Sequence, residues 1–258
     1  MKSDQPNEND EVLSPGLSLM KTLSDSGLRD GLIDLSEVGL DKLLKNVQDE
    51  ALSQIPIIKS FYALGKAGFA VRDYIFMKKI FLFVAGFKEV DDKFKESLQQ
   101  KYTDSEYREK LGLDLINALS LFDQVTKAES LFKIFSAYVK DEISYQQFSQ
   151  YSYILQNVDL NNLKILREFY YSEKYHPEPS KYLSSAPDML DSAKEVQKDW
   201  HLLQSFISVG LVSLSLGSTT KASGSIPIPM TLPGKLKCNN FGGKFLQILG
   251  LLKFEDLD

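Results

Sequence analysis

The chain predicts an all-α body, mainly a helical bundle, followed by a C-terminal winged-helix-like module that contains a short β-hairpin. Three observations carry this reading. Apolar residues recur at helical spacing from position 57 to about 175. The order helix, helix, helix, strand, flexible loop, strand, helix over 160–254 is that of a winged helix. Hydrophobic residues make up 43% of 258 and charged residues 25%, enough to bury a core without global disorder.

Each element follows from local signals. Residues 1–30 carry Pro6, Pro15, Gly16 and Gly27 among polar side chains and read as largely disordered. Leu32 to Leu44 is a weak amphipathic helix. Pro56 suits the first turn of a new helix, and Ile57 to Met77 forms one long helix or two. Phe81 to Gln100 supplies the next. Tyr107 to Lys140 reads as one strong helix, with Leu115, Leu119, Phe122, Leu131, Phe135 and Tyr138 in step. Ser144 with Gln147 is a capping box opening Tyr145 to Leu155. Leu160 to Tyr171 follows.

Beyond His176 the texture changes. Pro177, Pro179 and Pro187 mark loops and helix starts. Ala186 to Val209 reads as helix, stopped by Gly210 as a left-handed C-cap. Leu211 to Leu216 is a strand whose alternation suggests one buried face. Gly217 to Pro229 is a Gly/Ser/Pro loop and Met230 to Lys237 the return strand. Asn240 is the expected N-cap of a closing helix, Phe241 to Phe254. Three segments result: an acidic, partly disordered 1–50, a helical bundle 51–159, and the winged-helix-like 160–258.

Charge divides along the same lines. Residues 1–50 hold five basic and eleven acidic side chains, net −6. Residues 51–159 hold fourteen of each. Residues 160–253 hold eleven basic and seven acidic, net +4. The whole chain is at −5, which excludes a uniformly basic nucleic-acid coat. One Cys excludes a disulfide scaffold, and two His with that Cys make a zinc site hard to build. Residues 1–11 carry four acidic side chains, a single Lys and no apolar run, so a secretory signal is not expected there. Ile55–Phe87 and Leu202–Thr220 are too broken by charge or glycine to span a bilayer. The expected location is cytoplasmic, with a peripheral position at the inner face of the membrane as the variant.

Candidate sites are few. Residues 55–80 carry five basic side chains and one acidic among Phe61, Tyr62, Phe69, Tyr74 and Phe76. Arg72, Lys78 and Lys79, with Lys59 and Lys66, are the candidates for an anion or lipid headgroup. A helical wheel puts Arg72 in the apolar sector near Phe76. If it is buried there, a distant carboxylate must pair with it. Ala63, Ala67 and Ala70 form a small-residue stripe suited to close helix approach. On the wing side, Lys221, Lys235, Lys237 and Lys244 are the nucleic-acid candidates. The helix feeding the wing has mixed rather than basic outer positions, so a protein partner is favoured over DNA. Eight of the twelve Tyr lie between Tyr138 and Tyr182 and read as packed at a bundle edge, hydroxyls outward.

Chemistry is not signalled. His176 and His201 form no nucleophile triad by spacing, and Gly65-Lys66 and Gly243-Lys244 lack phosphate-loop spacing. Asp91-Asp92 and Asp141-Glu142 sit at helix edges, where acids are ordinary dipole partners. The expectation is no catalytic residue, no metal and no cofactor.

Ile55-Pro56-Ile57-Ile58-Lys59, Gly65-Lys66, Arg72-Asp73-x-x-Phe76-x-Lys78-Lys79 and Tyr145-x-x-Phe148 resemble an uncharacterised family of bacterial helical proteins. Gly210-Leu211-Val212, the wing, and Asn240-Phe241-Gly242-x-Lys244-Phe245 resemble the end of abortive-infection alpha-type proteins. The usual wing of that group ends in Leu-Thr-x-x-Gly, where this chain has Cys238-Asn239-Asn240-Phe241-Gly242. The resemblance implies a phage-defence or mobile-element setting and no particular reaction.

The functional expectation is a non-enzymatic interaction protein that binds a protein or nucleic-acid partner through its C-terminal module, with a protein partner or homo-oligomer foremost. The alternative is an effector that acts on an anionic membrane surface through the basic, aromatic helices of 55–87.

Overall fold

The computed structural model describes residues 13–37, 55–64, 71–101, 103–175, 204–215 and 235–253. It is mostly helical, with one small antiparallel hairpin. The chain divides into two compact units, Met1–Gln156 and Asn157–Asp258.

The first unit begins with α1 (Pro15–Ser24) and α2 (Ser26–Glu37). Ser14 caps α1 by accepting from the Leu17 amide at 3.3 Å, and Pro15 takes the first position, where a missing N–H costs nothing. Leu19, Met20 and Leu23 are fully buried. The expectation of disorder is therefore corrected for residues 13–30. Short polar residues hid an apolar stripe one helix long.

Pro56 opens α3 (Pro56–Leu64) as expected, and α4 (Val71–Ala85) follows. A 3-10 turn, Gly86–Glu89, separates α4 from α5 (Asp92–Lys101), so Phe81 to Gln100 is not one helix. Gly86 presses on Phe132, leaving no room for a side chain. Phe83, Phe87, Phe94, Phe132 and Phe135 then pack ring on ring around this bend, some pairs edge to face and others tilted, with Phe87 and Phe132 at 4.9 Å between centroids.

Tyr107 to Lys140 is likewise two helices, α6 (Ser105–Leu121) and α7 (Lys127–Val139). The intervening turn keeps the apolar residues in step, which is why the period ran through it. Asp123 makes the break: its carboxylate accepts from the Gln124 amide at 2.9 Å. α7 ends on Asp141, a non-glycine residue at φ 59. The amides of Asp141 and Glu142 close the helix end on the Tyr138 and Ala137 carbonyls. α8 (Tyr145–Asn157) starts with the expected capping box. The Gln147 amide donates to Ser144 Oγ at 3.2 Å, and Gln147 Oε1 accepts from the Ser144 amide at 2.9 Å.

In this unit α1 packs on α3 and α6, and α4 packs on α2, α6 and α7. Small residues let α1 and α6 approach closely. A Cβ on Gly16 would stand 2.5 Å from the Glu109 carbonyl oxygen of α6 and 2.9 Å from Leu113 Cγ.

The second unit opens with a 3-10 turn, Leu160–Asn162, and α9 (Leu163–Tyr175), which buries Leu163, Leu166 and Tyr170. Residues 204–208 are helical and bury Phe206. Gly210, at φ 80, ends them as expected: its amide bonds Ile207 and the Leu211 amide bonds Phe206. β1 (Ser213–Ser215) pairs with β2 (Lys235–Lys237), and α9 is matched at the other end by α10 (Asn240–Ile248). The N-cap of α10 is Asn239, not Asn240, and the helix stops at Ile248 rather than Phe254. Gly250, at φ 76, makes that stop. The rest of Ala186–Val209 and the wing loop lie outside the described residues.

Candidate interaction surface

The basic helix group of the first unit does not form one site. Arg72 is exposed, so the distant carboxylate it was expected to need is not required. Lys59 is exposed, Lys78 is half-buried, and Lys66 lies outside the described residues, as do Ala67 and Ala70 of the small-residue stripe. Lys79 is the buried member, at 4% exposure. It lies seven residues from Arg72, so both share nearly one azimuth of α4, about 10 Å apart along the axis. A wheel has no axial coordinate and cannot separate them.

Lys79 is bonded inside the fold. Its Nζ donates to the Phe122 carbonyl in the α6–α7 turn. Burial pushes its ammonium below the ordinary lysine value, against the pull of the Asp123 carboxylate. Lys127, 1% exposed, reaches Asp123 Oδ1 at 2.6 Å and the Gln156 carbonyl at 3.2 Å. The Lys127 ammonium, hydrogen-bonded to Asp123, holds that carboxyl below its usual range. Two buried lysines thus fasten one turn, and this group is scaffold.

A second polar group closes the bundle edge. Lys101 Nζ donates to the Tyr138 carbonyl at 2.7 Å, pairs with Asp141, and lies 4.6 Å from the Tyr138 ring centroid. Tyr107 and Tyr138 share a hydroxyl hydrogen bond, and Tyr145 donates to Asp114. Burial first, then these partners, raises the Tyr138 and Tyr145 phenols above their ordinary value. Neither hydroxyl therefore points free into solvent as expected.

The second unit holds a different arrangement. The Tyr170 hydroxyl donates to the Leu211 carbonyl at 2.6 Å and accepts from the Asn239 amide at 3.2 Å. It joins the two roots of the hairpin through a buried side chain of α9. Asn239 completes the joint. Its Oδ1 accepts from the Gly242 amide at 2.7 Å, while Nδ2 donates to the Gly210 carbonyl at 3.1 Å and to Ser213 Oγ at 3.0 Å. Gly242 is required here, since any Cβ would strike both the Tyr170 hydroxyl and the Leu211 carbonyl.

Above this joint the strands are in register Ser213 to Lys237, Leu214 to Leu236 and Ser215 to Lys235. Leu214 is 45% exposed, which corrects the reading of β1 as half-buried on its apolar side. Lys237 is exposed and Lys244 half-buried. Lys235 stands opposite Ser215, and Lys221 lies outside the described residues. Among the described side chains, the hairpin with these fixed roots carries the exposed Leu214 and the exposed Lys237. Tyr170 and Asn239 were missed from the sequence, because their role depends on partners 26 to 69 residues away. A run of Asn beside the return strand was the sole local signal.

Among the described residues, no group of three or more His, Cys, Asp or Glu is placed to hold a metal ion. Nor, among them, is any helix long and apolar enough to cross a membrane. Comparison with known proteins gives no match to a family model, a curated protein or a solved structure.

Proposed function

We propose that this chain is a recognition protein whose C-terminal unit binds a protein partner through its hairpin. One observation carries the reading: Leu214 is 45% exposed in the middle of a two-stranded hairpin whose roots are fixed by Tyr170 and Asn239. A large apolar side chain held on a preorganised element loses little entropy on binding. A central anchor of that kind, with polar neighbours, is what a protein interface uses. Lys237 and Lys244 favour an acidic rim on the partner. The finer fold of this unit, a winged-helix-like module, belongs to the same proposal and is supported by the hairpin followed by a capped closing helix. A bacterial phage-defence setting rests on the residue resemblance of the C-terminal segment.

The test is photo-crosslinking in cells from position 214, with position 120 on an exposed stretch of α6 as control. One identified protein should be captured from 214 alone. That protein, purified, should bind the full chain, and Leu214→Asp should weaken it about tenfold, as loss of an anchor does. Equal capture from both positions, or unchanged affinity in the variant, overturns the reading. Tight binding to duplex DNA that weakens steeply with salt would replace it with nucleic-acid recognition.

A second reading keeps the membrane surface. Exposed Arg72 lies three residues from Ile75, which is 39% exposed, on α4. Flotation with vesicles containing anionic lipid, lost on Arg72→Glu, would favour it.

A further inference from the structure

The hairpin of the second unit has two chemically different faces. Side chains alternate along a strand, and the register sets Leu214 against Leu236 and Ser213 against Lys237. Leu214 and Leu236 therefore share one face, and Ser213 and Lys237 share the other. Both faces are wet: Leu214 is 45% exposed, Leu236 is half-buried, and Ser213 and Lys237 are exposed. The backbone edge of β1 is open as well. In a two-stranded antiparallel ladder every second residue turns its N–H and C=O away from the partner strand. Among the described residues, no backbone group of Ser213–Ser215 bonds outside the hairpin. The charge around it is of one sign: between Asp199 and Glu255 the sequence holds five Lys and no acidic residue.

We infer that the β1 edge takes an extended segment of the protein partner as a third strand, one in which acidic and apolar residues alternate. The inference rests on the reading of the hairpin as a protein-binding element and names the chemistry of what it binds. A ligand laid flat on the hairpin meets Leu214 or Lys237 but not both, because they lie on opposite faces. A strand added at the edge meets both, since its own side chains alternate between the same two faces. The residue beside Leu214 falls on the apolar face, where an apolar side chain covers the anchor. The residue beside Ser213 falls on the other face, two strand spacings or about 10 Å from Lys237 between Cα atoms. Ser213 is short, so a glutamate at that place and Lys237 close over it as an opposite-charge pair. Among the described residues no carboxylate pairs with Lys237, which leaves the partner to bring one. A phosphate backbone satisfies Lys237 and leaves Leu214 bare on the other face.

The probe is a synthetic peptide with blocked ends in which glutamate alternates with valine, titrated into the full chain. A dissociation constant on the order of 100 µM is expected from so short a strand. In its presence amide exchange within Ser213–Ser215 should slow, as outward N–H groups gain acceptors. A peptide of the same composition, with its glutamates in one block and its valines in another, should bind at least tenfold more weakly. Lys237→Glu should weaken the glutamate peptide at least tenfold and gain binding to a peptide in which lysine alternates with valine. That gain also shows that the variant is folded. Absent binding of the glutamate peptide, equal binding of the block peptide, or binding that leaves exchange in β1 unchanged overturns the inference. So does duplex DNA that displaces the peptide and is itself lost on Lys237→Glu, which would assign the edge to nucleic acid. The broader reading of the hairpin is judged apart: it survives a failed peptide as long as Leu214→Asp weakens the protein captured from position 214.

Discussion

Gly112 of α6 lies backbone to backbone against Gly16 of α1: a methyl group on Gly112 would stand 2.8 Å from the Gly16 Cα and closer still to its carbonyl oxygen. The first helix, which its polar composition disguises, is thus seated by the absence of two side chains. Because the obstacle is backbone, it cannot swing aside as a side-chain tip would. Gly112→Ala should cost up to about 2 kcal/mol net, since overpacking against rigid backbone, up to about 3 kcal/mol, outweighs the ~1 kcal/mol gained in helix propensity. A methyl group on Gly31 of α2 would meet nothing within 4 Å, so Gly31→Ala should stabilise by up to about 1 kcal/mol. Urea unfolding of the two variants beside wild type checks both signs.

The Asp123 turn gives a pH dependence. Its carboxyl is held below the ordinary value, chiefly by the hydrogen bond from Lys127. The folded chain therefore binds fewer protons at this group than the unfolded chain does near the ordinary carboxylate pKa. Stability from this group is present above that pKa and is lost as pH falls through the lowered one. Asp123→Asn should be less stable than wild type at pH 6 and lose less on acidification. Urea midpoints between pH 2.5 and 6 measure it; parallel curves for the two proteins would refute the assignment.

Alkaline pH acts with the opposite sign on the buried phenols. Burial pushes Tyr151 up to about 12 and raises Tyr138 and Tyr145 as well. Above the ordinary value of about 10, the folded chain holds protons that the unfolded chain has released. Their contribution is complete below pH 10 and disappears as pH rises through the folded values. Lys79 works against this in part, because its lowered value makes folding easier as it deprotonates. Absorbance near 295 nm should show a delayed phenolate fraction that appears together with unfolding, and Tyr151→Phe should shallow the alkaline loss of stability.

How far the sequence carried depended on whether a signal was local. Pro56, the Ser144–Gln147 box and Gly210 each act within a few residues, and each stands where the local rule puts it. The break at Phe122–Thr126 was invisible, because the apolar period resumes in phase after it and only an Asp side chain bonded to its neighbour's amide marks it. The different environments of Arg72 and Lys79 were not legible, because the two share an azimuth and cover depends on position along α4, where Lys79 reaches the distant turn at Phe122. α1 was concealed because half its buried residues are Gly16, Ser18 and Thr22. Thr22 settles its hydroxyl on the Ser18 carbonyl at 2.8 Å, so polar residues enter the core without loss. For the candidate surface, Lys237 was legible as a wing-side cation, while the Tyr170 joint that fixes the hairpin spans most of the unit and has no local sign.

That joint yields the sharpest separation of roles. Tyr170→Phe keeps the ring and removes only the hydroxyl, leaving the buried Leu211 carbonyl and the Asn239 amide without it. The cost should be about 1–3 kcal/mol, the penalty for unsatisfied buried partners. Asn239→Asp preserves the cap, because a carboxylate oxygen still accepts from Gly242 and favours a helix N-terminus. It loses the amide donor to Gly210 and Ser213 and sets an anion against the Gly210 carbonyl. If Asn239 serves the hairpin through Nδ2, Asn239→Asp should leave exchange in α10 protected while amide exchange at Leu214 and Leu236 accelerates. Asn239→Ala should release both, adding the loss of the cap, about 1 kcal/mol. Hydrogen exchange of the three variants distinguishes these outcomes. Equal protection at Leu214 in wild type and Asn239→Asp would mean that the hairpin is held without the Asn239 amide.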